Sequence, residues 1–397
     1  MERCPLPATT SARDDWWWIF DPRLSLRARA SLITGVGTLA FTLLATALAG
    51  TLVRRSLEAQ LGTHFEALAF QLADKLDRVI HARHHDLQLM ASIAPMRHGD
   101  TTAAERQKLL ETVQDSARDF AWIGFADPRG TVRAATGGLF ANTAVGTRPW
   151  FLVARERNHT AGPAELPALT RELHPEGGTR ALRYIDLAVP VQAADGALLG
   201  ALGAHVSWEW SREVQLSVVP ESARRERIGV TVYSAAGEVL LDSGGSGWSQ
   251  PPEPPVISDP RKFRGTLLQS ADGGTSYLTG FARSRGYREY RGLGWLIVVR
   301  QPADLALAPA RELQRTLFGW GALLTIVLVA VSWIAAARLS RRLRSVRLAA
   351  DRIRGGDVLT VLPRPSGEGE LARMCGSLND LVEDLRKKSP ARGSHDR

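Results

Sequence analysis

Residues 122–135 read WIGFADPRGTVRAA, and residues 228–241 read IGVTVYSAAGEVLL. Each is an apolar, β-prone run, a polar turn and a second apolar run. In the first, Trp122-Ile123-Gly124-Phe125 leads into Asp127-Pro128-Arg129-Gly130, where proline presets φ and glycine accepts a positive φ; residues 131–135 then resume the extended pattern. In the second, residues 228–233 turn at Ala236-Gly237 into residues 238–241. A further strand pair follows each opening. Residues 184–191 and 198–206 are joined at Asp195-Gly196, a hairpin signal, and residues 276–281 and 295–300 echo them. The openings start 106 residues apart (122 and 228), and the copies share pattern more than identity. This predicts two tandem α+β modules with antiparallel sheets, residues 243–262 forming a Gly/Ser/Pro-rich loop of the second.

Two uncharged windows bracket these modules. Residues 30–53 carry 24 uncharged positions and residues 316–337 carry 22. Crossing about 30 Å of hydrocarbon takes about 20 apolar helical residues, so both are predicted transmembrane helices. Ala47-Leu48-Ala49 has the small-x-small form of a signal-peptidase site, but the window is longer and starts later than a cleavable leader, which favours a retained anchor. Arg23, Arg27 and Arg29 precede the first window, and Arg54 and Arg55 follow it. Arg311 and Arg315 precede the second, whereas Arg338, Arg341, Arg342, Arg344 and Arg347 follow it. The positive-inside rule then puts both termini in the cytoplasm and residues 54–315 outside. Trp16, Trp17 and Trp18 are either an interfacial anchor or part of a loose tail. Both cysteines, Cys4 and Cys375, fall in the predicted cytoplasmic parts, leaving the exported region free of thiols.

The whole-chain averages hide this arrangement. With 397 residues, 44% hydrophobic, 23% charged and a net charge of +9, the chain looks like a basic soluble protein, and it is too apolar for a disordered one. Much of the positive charge is juxtamembrane: residues 338–397 hold 14 Lys/Arg against 8 Asp/Glu. Anionic lipid accounts for that bias without nucleic acid.

Residues 54 to about 96 place Leu57, Leu61, Phe65, Leu68, Leu72, Leu76 and Ile80 three and four apart, as on one face of a long helix. Such a helix is either a dimer stalk or a helix packed on its own domain. Past the second window, Leu339, Leu343, Val346, Ala350 and Ile353 follow a 4-3-4-3 spacing. Leu371, Met374, Leu378, Leu381 and Leu385 follow 3-4-3-4, beyond a linker with Gly355-Gly356, Pro363 and Pro365. Two heptad helices of this kind suit half of a parallel four-helix bundle completed by a second chain; a basic helix lying on lipid is the alternative.

Three groups of residues carry a family resemblance: the long first helix with its Asp127-Pro128-Arg129-Gly130 turn, Arg148-Pro149-Trp150-Phe151, and the run from Gly294-Trp295 to Arg300-Gln301-Pro302. In this order they resemble the double Cache domain, the tandem PAS-like sensor of bacterial receptors, over most of 54–315. Gly369-Glu370-Leu371-Ala372-Arg373 and Leu378-Asn379 resemble the second helix of a HAMP domain, although the usual proline early in the first helix is missing and Ser366-Gly367-Glu368 replaces the usual acidic approach. The expected fold is a membrane-anchored α+β chain with two transmembrane helices, a periplasmic double Cache domain with a long N-terminal helix, and a cytoplasmic two-helix HAMP coiled coil. The expected boundaries are a tail at 1–29, spans at 30–53 and 316–337, and the sensor at 54–315. Within the sensor lie the stalk (54–118), distal module (119–225), proximal module (226–301) and exit helix (302–315). HAMP takes 338–390 and a tail 391–397.

The resemblance also implies a ligand site. In amino-acid-binding Cache domains an Arg-x-Trp-aromatic motif holds the ligand carboxylate, which here indicates Arg148, Trp150 and Phe151. A guanidinium grips a carboxylate bidentately, and indole adds a rigid wall with an N–H donor. That subclass has a tyrosine five residues earlier, where this chain has Thr143, and an aspartate on the last strand where counting from Gly200 gives His205. Histidine cannot pair with an ammonium group as a carboxylate does, so an organic anion fits better than an α-amino acid. Tyr184, Asp186 and His205 complete the candidate ligand set. His81, His84 and His85 have chelating spacing, but a polar helix face is the simpler reading and no metal or other cofactor is expected. Gly355-Gly356-Asp357-Val358 is not a cyclase signature without its domain, and no P-loop, HExxH or nucleophile elbow occurs.

The expected function is a receptor for a small ligand that relays through HAMP. Expected partners are a second copy through the stalk and HAMP helices, inner-membrane lipid, and a separate cytoplasmic output protein. With 12 residues after Leu385, no catalytic domain is expected; the sensor portion of a histidine kinase or diguanylate cyclase is the enzyme alternative, and a passive tether is a third class.

Overall fold

Between Leu26 and Ser92 there is no proline, and the chain forms one helix, α1 (Leu26–Ser92), ending three residues before Pro95. In this computed structural model the described residues are 26–174, 182–243, 262–270 and 275–354, with 373, 376, 377, 379, 380 and 383 beyond them. Helix α8 (Ala308–Arg354) contains the second uncharged window. Both helices are long and apolar enough to cross a membrane. Their large side chains point outward, with Phe41 73%, Leu44 70%, Trp320 67% and Ile326 67% exposed, as a hydrocarbon-facing surface requires and a soluble core helix does not.

The chain divides into two compact units, Met1–Val53 with Ala310–Arg397, and Arg54–Pro309. In the first, α1 and α8 meet at small residues. Thr34 donates to Ser332 at 3.2 Å, a Cβ on Gly35 would lie 3.1 Å from Val329, and one on Gly321 would collide with Thr42. Small side chains allow such close approach between apolar helices. The first proposed HAMP helix lies on α8; Leu371, Met374, Leu378, Leu381 and Leu385 fall outside the described residues, as do Trp16–Trp18, both cysteines and Gly355–Val358.

In the second unit, α1 is followed by α2 (Ala94–Arg97) and α3 (Ala103–Ser116), the latter started by a capping box between Thr102 and Glu105. The distal sheet contains β1 (Phe120–Ala126), β2 (Val132–Ala135), β3 (His159–Glu165), β4 (Arg183–Gln192) and β5 (Leu198–Ser207), with α4 (Pro149–Ala154) and α5 (Pro167–Leu173) between strands. After α6 (Trp210–Val218) comes the proximal sheet: β6 (Gly229–Tyr233), β7 (Val239–Asp242), β8 (Arg264–Ser270), β9 (Ser276–Arg283) and β10 (Leu296–Pro302), then α7 (Ala303–Ala306). The two orders are β2-β1-β5-β4-β3 and β7-β6-β10-β9-β8, the same topology twice. The predicted hairpins pair as expected, while β3 and β8, the two matching edge strands, had no sequence signal.

The stalk stripe faces its own domain. Phe65, Leu72, Leu76 and Ile80 are at most 2% exposed and belong to one cluster that also takes Ile123, Leu187 and Val206 from the distal sheet and Val230, Ile297 and Val299 from the proximal one. Of the two alternatives for this helix, packing on its own sheets is what the apolar stripe does, so a dimer contact would need another face. At Gly280 the helix comes so close that a Cβ would collide with Phe65 and Glu66. The modules are joined by Trp208, whose indole donates to the Leu240 carbonyl at 3.0 Å and meets Trp295 edge-on at 4.8 Å between ring centres.

Candidate ligand-binding site

Strand alternation gives the distal sheet two apolar faces. Ile123, Phe125, Ile185, Leu187, Val189, Leu202, Ala204 and Val206 face the stalk; Trp122, Tyr184, Ala188 and Ala201 face the other way, under α4 and α5. The candidate residues gather on this second face. Trp150 and Phe151, on α4, are 5% and 2% exposed and cross edge-on. Tyr184 is fully buried on β4, its hydroxyl accepting from Thr170 at 3.4 Å.

Asp186 and His205 are directly opposed across the β4–β5 ladder, with His205 Nδ1 2.8 Å from Asp186 Oδ1. Both are half-buried. The imidazole stacks on the Trp122 ring, centres 5.0 Å apart, and Trp122 donates its indole N–H to the Leu139 carbonyl at 3.2 Å. Counting along β5 gave no carboxylate at this position, but one, Asp186, stands beside His205 on the neighbouring strand.

Arg148 stands apart. It is the exposed residue before Pro149 at the start of α4, and its backbone carbonyl accepts from Phe151 and Leu152. It precedes the buried Trp150 by two residues.

Trp122, His159, Gly124 and Gly203 belong to this face and were not singled out beforehand. A Cβ on Gly203 would lie 2.7 Å from the Trp150 ring, and one on Gly124 would overlap Trp122, so the two glycines are what let the indoles lie against the sheet. Their signal was legible: on adjacent antiparallel strands, both fall on the face of Trp122 and Ala201. His159 is on β3, where burial pushes its pKa down while Asp186 pulls the other way.

The turn that first suggested the hairpin is built as expected. Asp127 accepts from the Arg129 and Thr131 amides at 3.0 and 2.9 Å and from Arg133 at 2.7 Å. The three stalk histidines hold no metal cluster; among the described residues no group of three suitable ligands exists, and His81 instead contacts Glu289 at 3.3 Å and Tyr287 edge-on. A cavity of about 270 Å³ lies between the end of α1 and β4, lined by Gln88, Ser92, Arg97, Asn158 and Pro190 among others.

Residues 334–387 match the family model of the HAMP domain, so the chain carries a HAMP domain beginning within α8. A search of curated proteins returned no match. Among solved structures, the chain is similar to the ligand-binding domain of the Pseudomonas aeruginosa amino-acid chemoreceptor PctC in complex with GABA (19% identity, 61% of this chain and 99% of that one, TM-score 0.46). It is also similar to the sensory domain of the Campylobacter jejuni chemoreceptor Tlp3 with isoleucine bound (9% identity, 64% and 97%, TM-score 0.48). A third is the ligand-binding domain of the Pseudomonas fluorescens chemoreceptor CtaA with L-alanine (17% identity, 62% and 99%, TM-score 0.43).

Proposed function

We propose that this protein is a two-span receptor of a bacterial inner membrane, with residues 54–315 as a periplasmic double Cache sensor and both termini cytoplasmic. It binds a small organic ligand bearing a carboxylate and relays that event through α8 and HAMP to a separate cytoplasmic output protein. The observation that carries this reading is the order along the chain: apolar helix, tandem sheet modules, apolar helix, HAMP. Ligand binding that favours one conformer shifts a two-state equilibrium, and the paired HAMP helices of a homodimer repack in response.

The distal indole face is the ligand site, with Arg148 closing on the carboxylate and Trp150, Phe151 and Tyr184 forming the walls. Asp186 favours a second reading of the ligand. A carboxylate beside His205 repels a second negative charge and accepts from an ammonium group, which suits a zwitterion better than a dicarboxylate. The alternative that this chain is the sensor portion of a kinase or cyclase leaves the site unchanged.

The test is thermal stability of the full chain in lipid nanodiscs against dicarboxylates and amino acids. A saturable shift that Arg148→Ala removes supports the site; one that Arg148→Ala leaves intact refutes the assignment of Arg148.

A further inference from the structure

The proximal sheet repeats the distal topology, and its outer face, turned away from the stalk, is not filled with apolar side chains alone. Tyr233, Phe281, Leu296 and Val298 form a small cluster there. Beside it on the same face stand Thr231, Thr279 and Arg300, 1%, 0% and 7% exposed. Arg300 is on β10, the central strand. Its ladder partners are Thr279 on β9 and Gly229 on β6, and Gly229 brings no side chain. The guanidinium lies over the Tyr277 ring at 5.4 Å. Tyr233 and Thr231 are hydrogen-bonded through their hydroxyls, and Thr231 reaches Asp242 at 3.4 Å.

β10 holds the place in this sheet that β5 holds in the distal one, and β9 the place of β4. Arg300 and Thr279 are thus cross-strand partners on the same two strands, and the same face, as His205 and Asp186. The Thr279 hydroxyl is fully buried and has no hydrogen-bond partner among the described residues. A buried hydroxyl without a partner is costly, and valine would fill the same volume without that cost.

We propose that this face is a second ligand site, taking a small monocarboxylate. Arg300 is the bidentate donor, and the Thr279 hydroxyl is a further donor to the same carboxylate. Asp242, at the end of the hydroxyl chain, disfavours a second negative charge on the ligand. The site does not depend on the distal one.

The experiment is titration of the full chain in nanodiscs with sodium acetate and sodium pyruvate, against sodium chloride at matched ionic strength. The expected result is a saturable rise in Tm beyond the chloride control. Thr279→Val should weaken the apparent affinity about fivefold, the loss of one hydrogen bond, while leaving the ligand-free Tm equal or higher. Arg300→Lys should weaken it tenfold or more, because an ammonium group cannot grip bidentately. Arg148→Ala should leave it unchanged. No saturable response to either anion overturns the proposal. So does an unchanged affinity in Thr279→Val, or a response that Arg148→Ala removes, which would belong to the distal face.

Discussion

Asp186 and His205 meet at 2.8 Å across adjacent strands, and the imidazole is stacked on Trp122. A half-buried pair of this kind contributes up to about 1 kcal/mol to stability, so its removal should cost the fold little. Asp186→Asn is expected to leave Tm within a few degrees of wild type while weakening an amine-bearing ligand at least tenfold. Isothermal titration with an amino-acid panel checks this; unchanged affinity would remove Asp186 from the site.

Gly203 is the floor on which Trp150 rests. Gly203→Val forces the indole off the sheet, and overpacking of this kind costs about 1–3 kcal/mol. Urea unfolding followed by tryptophan emission should show both a lower midpoint and an altered native spectrum. A native spectrum identical to wild type would mean that the ring has not moved.

Asp77 is the one carboxylate in the buried set of the described residues. It accepts from the Ser284 hydroxyl at 2.6 Å and from the Arg285 and Gly286 amides at 3.2 and 2.8 Å, tying the stalk to the proximal module. Asp77→Ala leaves those donors unanswered and should cost about 3 kcal/mol. Burial raises the Asp77 pKa despite these hydrogen bonds. The folded state therefore holds this proton to higher pH than the unfolded chain does, and the group adds stability as pH falls through the raised value. The Tm of wild type relative to Asp77→Asn should accordingly rise from pH 7 towards pH 4.

Asp127 has the opposite sign. Burial pushes its pKa up, but the Thr131 amide, Arg133 and the Arg129 amide outweigh that and hold it below the usual value. Its contribution is present above the ordinary carboxylate range and lost as pH falls through the lowered value. Asp127→Asn should flatten the acid limb of the stability profile; a variant that keeps the wild-type slope would show the turn to be indifferent to that charge.

Much of this was legible in the sequence. The two windows, the stalk periodicity and the hairpin turns each rest on a local repeat of 3.6 or 2 residues, which needs no knowledge of neighbours. Edge strands β3 and β8 were not legible. His159–Glu165 is interrupted by Pro163 and followed closely by Pro167 at the start of α5, and Arg264–Ser270 is exposed on alternate residues with only weak apolar alternation. Within the site, Tyr184, Asp186 and His205 could be named individually, but their pairing depends on the β4–β5 register. Both Asp186 and His205 were named as candidates, but reading them apart left out of account that the carboxylate stands directly against the imidazole. The stripe on α1 was visible, whereas its partner surface was not, because periodicity shows which residues share a face and not what covers it.

The single apolar cluster running from Phe65 to Ala306 includes side chains from the stalk and both sheets. The tandem repeat is therefore not two beads on a string. Each sheet leaves its inner face bare without the same helix, so neither module has a complete interior alone. Melting of the 54–309 unit should be one cooperative event, and a deletion that removes either repeat should unfold the other.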